Sequence, residues 1–392
     1  MIKGSKVKKE TLLAHIGTSP DIHRGSVNIP PYRASTVLFP NLAAFEAAEQ
    51  GKSAMPTYAR FGTPSTEALE NVIAELEGAD HSIVTASGLA AIVSSIMAFV
   101  SSGDHLLMVD NAYAPNRRFC DQELKRFGVE VTYYDPTVGA GIAGLIKENT
   151  KVIFVESPGS LTFEMQDIPA IAKIAREKDI VVIADNTWAT PMYINPFEMG
   201  VDISIHSATK YISGHSDLVM GVISCKEKHY PQLLRSFRNF GASPSGDNCY
   251  LALRGLRTMA VRLKQHYENG LKVARWLQEH DKVEKVFYPP LPESAGHEIW
   301  KRDFDGATSL FSIVLKENYS SDRLAKMIDG LENFGMGYSW GGFESLIIPF
   351  KPKAIRTATN WQYEGTALRL HIGLEDVDDL IEDLERGFER LK

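Results

Sequence analysis

Cysteine is scarce in this chain of 392 residues, and its few copies form no pattern. Cys120, Cys225 and Cys249 are far apart and odd in number, which argues against a disulfide framework or a zinc knuckle. The histidines supply no metal motif, because no His-Glu-x-x-His is present and His206 and His215 lie nine positions apart. We therefore expect buried thiols, a reducing compartment such as the cytoplasm, and no metal site.

Long hydrophobic runs and an excess of positive charge are also missing. The longest nearly apolar run covers residues 89–100 and contains two serines, so it is too short to span a bilayer. The net charge is −7, and the basic residues form no stripe. We expect neither a membrane nor a nucleic acid as partner. With 44% hydrophobic residues, the composition is that of an ordinary globular chain of two or three domains.

Two stretches of the chain share one design: residues 181–187 and residues 203–211. Each is a short apolar run rich in β-branched residues that ends abruptly in polar side chains. This pattern is typical of a buried parallel strand that delivers side chains to the carboxyl edge of a sheet. Asp185 and Lys210 are 25 positions apart, which fits one strand, one connection and the next strand. Both side chains can then converge where α/β enzymes place their ligands.

An amine and a carboxylate at one sheet edge suggest pyridoxal phosphate. The amine of Lys210 can form a Schiff base, and the carboxylate of Asp185 can keep the pyridine nitrogen protonated. Alone, the lysine would be read as a solvated chain end and the aspartate as a helix cap. Ser207 and Thr209 favour the cofactor, because hydroxyls spaced by two share one face of an extended segment and can hold a phosphate.

Three motifs carry a resemblance to a known family. Residues 185–187 (Asp-Asn-Thr), 207–211 (Ser-Ala-Thr-Lys-Tyr) and 214–217 (Gly-His-Ser-Asp) resemble the pyridoxal-phosphate-dependent enzymes of cysteine and methionine metabolism, the cystathionine synthase and lyase family. The resemblance runs from about Thr57 to Asp379. It implies an α/β fold of the PLP-dependent transferase type (fold type I), with a large, mostly parallel sheet.

The order of predicted elements agrees with that fold. Strand and helix patterns alternate over about 80–225, which predicts a mostly parallel sheet covered on both faces. The pattern changes near 260, which indicates a smaller C-terminal α+β domain. We therefore expect an N-terminal arm over 1–60, a cofactor-binding domain over 61–256 and a C-terminal domain over 257–392.

The predicted arm suggests self-association. A long segment without a core of its own, interrupted by Pro30 and Pro31, is expected to contact a neighbouring subunit. The resemblance implies that Tyr58 and Arg60 reach the cofactor phosphate of that neighbour, and that Tyr58 also contacts the substrate. We expect a homo-oligomer, a tetramer built from dimers that share active sites.

The resemblance assigns further site residues. The glycine turn at Gly88 and Leu89 precedes a predicted helix, where free backbone N–H groups can bind an anion, and the family places its phosphate there. Tyr113 is implied to stack on the cofactor ring and to contact the substrate. Arg369, an arginine within an apolar strand, is implied to bind the substrate carboxylate. His371 on the same strand face is expected to be structural.

The segment 338–342 (Tyr-Ser-Trp-Gly-Gly) predicts the branch of the family. Ser339 and Trp340 are expected to line the substrate, and this segment is similar to that of the bacterial members that carry out β-elimination of cystathionine. The implied reaction, a step of methionine biosynthesis, gives homocysteine, pyruvate and ammonia. Lys210 would remove the Cα proton and protonate the leaving sulfur, and Tyr113 would receive the proton of the substrate ammonium.

Alternatives remain at this stage. A γ-acting member of the family (cystathionine γ-lyase, cystathionine γ-synthase or methionine γ-lyase) would share the lysine and the aspartate, and racemase or transaminase side activity on alanine is chemically open. Residues 139–144 match G-x-G-x-x-G, as a nicotinamide-dependent oxidoreductase would require. Intervening residues 135–137 separate these glycines from the preceding strand and no full helix follows, so we expect a flexible connection there.

Overall fold

The structure is a computed structural model that describes residues 7–52 and 56–391. Of the predicted N-terminal arm over 1–60, residues 1–6 and 53–55 therefore lie outside the described residues. Two β-sheets organise the described chain, one of seven strands and one of five.

The large sheet has the order β1-β7-β6-β5-β4-β2-β3. Its strands are β1 (His81–Thr85), β2 (His105–Val109), β3 (Glu130–Tyr134), β4 (Thr150–Glu156), β5 (Val181–Asp185), β6 (Ile203–Ser207) and β7 (Gly221–Cys225). Five neighbouring strands, β6, β5, β4, β2 and β3, run parallel. Strand β7 is antiparallel to both of its neighbours, β1 and β6. The prediction of a mostly parallel sheet is confirmed.

Alternate residues of these strands enter two different cores. Ile83 and Ile223 belong to one core, whereas Val84 and Val222 belong to the other. This is the period of two that places successive side chains on opposite faces. Because both faces are covered, central strands such as β2 and β5 are apolar along most of their length, which explains the apolar runs in the sequence.

Helices cover both faces of the large sheet. The α-helices of this part of the chain are α1 (Lys9–His15), α2 (Leu42–Glu49), α3 (Pro64–Glu77), α4 (Gly88–Phe99), α5 (Ala114–Phe119), α6 (Ile168–Glu177), α7 (Thr190–Tyr193) and α8 (Tyr230–Phe240). Of these, α3, α4, α6 and α8 pack directly on the strands. Helix α3 has the ends that its sequence predicts, because Thr63 caps it in a capping box and Gly78 ends it with φ 66°. Ser87 caps α4 by accepting a hydrogen bond from the N–H of Ala90.

The second sheet forms the smaller C-terminal part of the molecule, with the order β10-β11-β12-β9-β8. Its strands are β8 (Val283–Phe287), β9 (Leu310–Leu315), β10 (Phe334–Gly335), β11 (Ser345–Phe350) and β12 (Ala367–His371). Its pairs are antiparallel apart from β10 with β11. Helices α10 (His297–Asp303), α11 (Ser321–Ile328) and α12 (Val377–Glu389) belong to this part.

One long helix, α9 (Gly246–Glu279), connects the two parts. Its first half packs with α3 through Leu256 and Met259, and its second half enters the core of the small sheet through Val273 and Leu277. The predicted boundary between residues 256 and 257 falls inside this helix, and the division into domains there stays a prediction.

Residues 139–145 form a 3₁₀ helix, so the expected flexible connection is wrong. Ile142 is fully buried in the core of the large sheet and fixes this segment. The segment ends at Leu145 and β4 begins at Thr150, so no α-helix follows the glycines as the dinucleotide motif requires.

None of the helices in the described part of the chain is both long and apolar enough to cross a membrane.

Candidate active site

The carboxyl ends of β5 and β6 are tied together by one threonine. Asp185 and Ser207 are the last residues of these neighbouring parallel strands. The hydroxyl of Thr187 donates to Oδ1 of Asp185 at 2.5 Å and accepts from the backbone N–H of Ser207 at 2.8 Å. Thr187 was not predicted as a site residue, although its spacing of two from an aspartate is typical of a local turn.

Lys210 lies in the turn that follows β6. Its Nζ donates to the hydroxyl of Ser339 at 2.8 Å and lies 5.1 Å from the centroid of the Trp340 ring. The pKa of Lys210 is lowered to about 8, mainly by burial and also by the nearby Arg369 guanidinium, while the charge of Asp185 opposes both effects. A larger share of this amine is therefore neutral near pH 7 than in an ordinary lysine, and a neutral amine can act as nucleophile or base.

Asp185 lies close enough to Lys210 for their charges to influence each other. Burial raises the pKa of Asp185, while the two hydrogen bonds from Thr187 and the positive charge of Lys210 favour the carboxylate. A cationic pyridine nitrogen at this strand end would add another favourable partner for the negative charge. Asp185 therefore fits the role of holding that nitrogen protonated.

The start of α4 forms an anion cradle beside β6. The N–H groups of Gly88 and Leu89 belong to the first turn, where no earlier carbonyl of the helix can accept from them. A Cβ built on Gly88 would lie 2.7 Å from Cβ of Ser207, so only glycine allows this close approach. Free N–H groups and a neighbouring hydroxyl are the donors that a phosphate requires. The residues present fit pyridoxal phosphate.

Thr209 is already engaged in the structure. Its hydroxyl donates to the carbonyl of Met220 at 3.1 Å and accepts from the N–H of Met220 at 3.0 Å. A hydroxyl has one proton, so it cannot donate to a phosphate while this bond persists. The assignment of Thr209 to the phosphate stays a prediction, and the contact seen here anchors the chain just before β7.

Tyr113 stands just beyond β2, at the start of α5, and remains 43% exposed. Its backbone N–H donates to Oε2 of Glu156 at 2.8 Å. Burial raises the pKa of the tyrosine hydroxyl, and the carboxylates of Asp185 and Glu156 raise it further. The tyrosine is thus close enough to Asp185 for the charge of that carboxylate to act on its hydroxyl.

The small sheet contributes a buried arginine to the site. Arg369 on β12 donates to the carbonyl of Tyr338 at 2.9 Å and to that of Gly337 at 2.7 Å. It is 3% exposed, its Nε has no hydrogen-bond partner within the described residues, and burial lowers its pKa to about 10. A buried arginine with an unused donor is suited to an anionic ligand.

His371 supports the segment that carries Ser339 and Trp340. The N–H of Gly341 donates to its Nε2 at 3.1 Å, and the hydroxyl of Ser309 lies 3.3 Å from its Nδ1. The ring is fully buried, and burial lowers its pKa well below the usual value. These contacts are those of a structural histidine.

Tyr58 and Arg60 lie apart from these residues within the one chain. Arg60 donates to the carbonyl of Arg238 at 2.6 Å, and Tyr58 forms an isolated bridge with Thr36 and is 44% exposed. No hydrogen bond or ion pair joins either residue to Lys210 across residues 7–52 and 56–391. The structure thus brings together Gly88, Leu89, Tyr113, Asp185, Ser207, Lys210, Ser339, Trp340 and Arg369, but not these two.

A second cluster that the sequence did not reveal fixes the base of the Tyr113 segment. The buried carboxylate of Asp110, at the end of β2, accepts from the backbone N–H groups of Thr357, Ala358 and Thr359 at 3.0–3.1 Å. Burial alone would raise its pKa, but these hydrogen bonds hold the pKa below the usual value. The loop over residues 357–359 of the C-terminal part is thereby bound to Asp110, three residues before Tyr113.

The comparisons with known proteins agree with this geometry. Residues 10–389 match the family model described as Cys/Met metabolism PLP-dependent enzyme. A Rhizobium johnstonii protein described provisionally as a cystathionine beta-lyase is 49% identical, with 96% of this chain and 95% of that protein covered. The cystathionine beta-lyase MetC of Escherichia coli is 43% identical, with coverage of 98% and 99%.

Two further matches bear on chemistry. An L-alanine/L-glutamate racemase of Wolbachia pipientis is 42% identical, with 98% of each chain covered. A solved structure from Campylobacter jejuni that contains N'-pyridoxyl-lysine-5'-monophosphate is 30% identical, with a TM-score of 0.89 and coverage of 97% of this chain and all of that one.

Proposed function

Since the chain belongs to the Cys/Met metabolism family of PLP-dependent enzymes, we propose that it is a carbon–sulfur lyase that splits cystathionine by α,β-elimination. The observation that carries the proposal is the position of Lys210, whose Nζ lies 2.8 Å from the Ser339 hydroxyl and 5.1 Å from the ring of Trp340. This places one base beside the tryptophan that the resemblance associates with β-elimination. The substrate is therefore an amino acid with a sulfur leaving group on Cβ.

Each residue of the site has its own role in the proposed reaction. When bound, pyridoxal phosphate withdraws electrons from the substrate Cα. Lys210, with its pKa lowered to about 8, can accept the Cα proton and can later donate a proton to the departing sulfur. Asp185 supplies the negative charge that keeps the pyridine nitrogen protonated. Gly88, Leu89 and Ser207 would hold the phosphate.

Arg369 would fix the orientation of the bound substrate. Its guanidinium now bonds to the carbonyls of Tyr338 and Gly337, and a substrate carboxylate can exchange with these neutral acceptors because a charged acceptor binds arginine more strongly. Holding the carboxylate there turns the Cα proton towards one face of the substrate. The proton balance is closed, because the proton that leaves Cα ends on the thiol of homocysteine. The remaining three-carbon fragment takes up water to give pyruvate and ammonia.

Product analysis tests the proposal. The purified enzyme with cystathionine as the sole substrate should release pyruvate and homocysteine in equal amounts. Release of 2-oxobutyrate and cysteine instead would show a γ-lyase and would overturn the assignment. The variant Lys210→Ala is the control, since it should release neither product.

Amino-acid racemisation is a second candidate, favoured by the similarity to the Wolbachia racemase. Alanine has no leaving group on Cβ, so removal of its Cα proton cannot lead to elimination, and the proton can return to Cα. Return to the opposite face gives the other enantiomer. Incubation of L-alanine with the enzyme, followed by chiral separation, tests this candidate. If no more D-alanine forms than in a sample without enzyme, racemisation is excluded.

We also propose that the site is completed by a second copy of the chain, in a tetramer built from dimers that share active sites. Tyr58 and Arg60 line a surface cavity of about 400 Å³ together with Tyr32, Arg33 and Asp247, away from Lys210. An always charged arginine and an exposed tyrosine suit the phosphate of a neighbouring subunit. Exposed apolar residues of the same segment, including Ile22, Val27 and Leu38, support an arm that contacts a neighbour. Sedimentation analysis distinguishes a dimer from a tetramer.

The cytoplasm is the proposed compartment. Cys120, Cys225 and Cys249 are all free and buried, as is usual where thiols stay reduced. Fractionation of cells that express the protein, followed by immunodetection, tests this.

A further inference from the structure

Glu156 is a partly buried acid of the site to which the proposed reaction assigns no role. It ends β4 just as Asp185 ends β5, and the two residues are paired in register. In-register residues of neighbouring parallel strands point to the same face, and their backbones lie about 4.8 Å apart. The site therefore has two carboxyl groups side by side, where binding of a single pyridine nitrogen needs one.

Glu156 also forms a hydrogen bond with Tyr113, which the resemblance places against the cofactor ring. Its Oε2 accepts from the backbone N–H of Tyr113 at 2.8 Å, and its own backbone carbonyl accepts from the side chain of Gln166 at 2.7 Å. The glutamate is thus fixed at its backbone and reaches across to the segment after β2. Its carboxyl group bonds to Tyr113 and lies beside Asp185, the two residues between which the resemblance places the ring.

We propose that Glu156 is a positioning residue, which fixes the backbone of Tyr113 and shares the sheet edge with Asp185 as a hydrogen-bonding group and not as a second negative charge. The inference rests on the proposed function, because it assigns Glu156 a task in the same cofactor site. It identifies the structural link between the stacking tyrosine and the aspartate of the pyridine nitrogen.

The surroundings of the two carboxyl groups support the division of charge. Asp185 receives two hydrogen bonds from Thr187 and lies near Lys210, all of which favour its carboxylate. Burial raises the pKa of Glu156 well above its usual value, and the charge of Asp185 raises it further. The groups that face Glu156 are Asp185 on β5 and the backbone N–H groups of Tyr113 and Ser160. These N–H groups lower its pKa in part, but none of the three groups carries a positive charge.

Three variants test the inference on the bound cofactor without any substrate. Glu156→Gln keeps a neutral oxygen that can accept from Tyr113, so it should retain wild-type cofactor affinity and visible circular dichroism. Glu156→Ala loses the acceptor, so it should weaken cofactor binding by about tenfold or more and reduce the circular dichroism of the bound cofactor. Glu148→Gln, on the exposed loop before β4, is the matched control.

A double-mutant cycle separates positioning from general damage. If Glu156 acts through Tyr113, then Glu156→Ala combined with Tyr113→Ala should bind cofactor no more weakly than Tyr113→Ala alone. Additive losses would overturn the link to Tyr113. These readouts are independent of which substrate the enzyme uses, so their failure is distinguishable from failure of the product analysis.

The proposed neutral state of the Glu156 carboxyl group has a separate test. Replacing a neutral acid with a neutral amide should leave the pH midpoint of the cofactor absorption band in place. A shift of about one unit or more in Glu156→Gln would show that a negative charge was removed and would overturn that half of the proposal. Because Glu156→Gln conserves shape, this test stands even if Glu156→Ala fails to fold.

Discussion

Individual side chains at the strand ends have their acid–base properties set by burial. Lys210 is the clearest case, since burial and Arg369 lower its pKa to about 8, against an ordinary lysine value of 10.5. Asp185 counteracts part of this effect and has its own pKa raised by burial. The chemistry of the site thus depends on an amine that is partly neutral at physiological pH and on a carboxyl that gains from a cationic partner.

The lowered pKa of Lys210 predicts how the enzyme without cofactor captures pyridoxal phosphate. Only the neutral amine attacks the aldehyde, so the capture rate should rise with pH, with its midpoint near 8, and level off above it. Stopped-flow absorbance at a series of pH values measures this. Asp185→Asn removes a charge that raises the pKa of Lys210, so it should move the midpoint lower. A rate that still climbs steeply at pH 10 would contradict the prediction.

Asp185→Asn also tests the role of the carboxylate itself. The amide has the same shape but cannot balance the charge of a protonated pyridine nitrogen, so turnover should fall by about 100-fold or more. Steady-state kinetics and cofactor titration measure the loss. Asp179→Asn, whose carboxylate is 95% exposed on the surface, should behave as wild type. An almost unchanged rate in Asp185→Asn would mean that Asp185 serves only to organise Thr187.

At the scale of elements, most of the site lies where strands end and a helix begins. Strands β5 and β6 end in Asp185 and Ser207, helix α4 begins at Gly88, and β12 brings Arg369 from the second sheet. The free N–H groups at the start of α4 and the polar ends of the strands meet because parallel strands share one carboxyl edge. The close contact between Gly88 and Ser207 is what fixes the distance between helix and strand.

Gly88→Ala should therefore disturb the cradle directly. The new Cβ would lie 2.7 Å from Cβ of Ser207 and 3.1 Å from its Cα, so the start of α4 must move away from β6. We expect cofactor affinity to fall by about tenfold or more and the unfolding free energy to fall by about 1–3 kcal/mol. Cofactor titration and thermal denaturation measure both.

Gly144→Ala is the matched control for the cradle variant. Gly144 has no atom within 4 Å of a built Cβ and belongs to the 3₁₀ helix over residues 139–145. Its affinity for pyridoxal phosphate should not change. Equal losses in the two variants would refute the cradle at Gly88, and a loss confined to Gly144→Ala would direct attention to the second glycine-rich segment.

For the whole molecule, the proposed sharing of sites between subunits gives a complementation test. Lys210→Ala and Arg60→Ala chains should each be inactive alone. Mixed and reassociated at equal amounts, random dimers should recover about one quarter of the wild-type activity, because half are hybrids and each hybrid has one intact site. Activity of the mixture is the measurement. No recovery, with hybrid formation shown by native mass spectrometry, would place Arg60 and Lys210 in the same subunit's site or outside it.

Much of the fold was predictable because its signals are local. The short apolar runs within residues 181–187 and 203–211 predicted the buried strands β5 and β6. The segment 139–145 was misjudged, because its glycines indicate a flexible connection while Ile142, one apolar residue among them, is held by the core of the large sheet. A contact with a distant core leaves no periodic signal in the segment itself.

By itself, the sequence determined the fold type, the cofactor and the positions of Lys210 and Asp185, because strand ends and a specific motif are written in consecutive residues. Only the tertiary structure decided which atoms meet: the amine of Lys210 with Ser339, Gly88 with Ser207, Asp110 with residues 357–359, and Glu156 with Tyr113 and Asp185. These partners lie between 29 and 249 positions apart, and their contacts depend on how two sheets and a long helix pack. Packing of that kind is a property of the whole chain, since each contact exists only when the cores on both sides are complete.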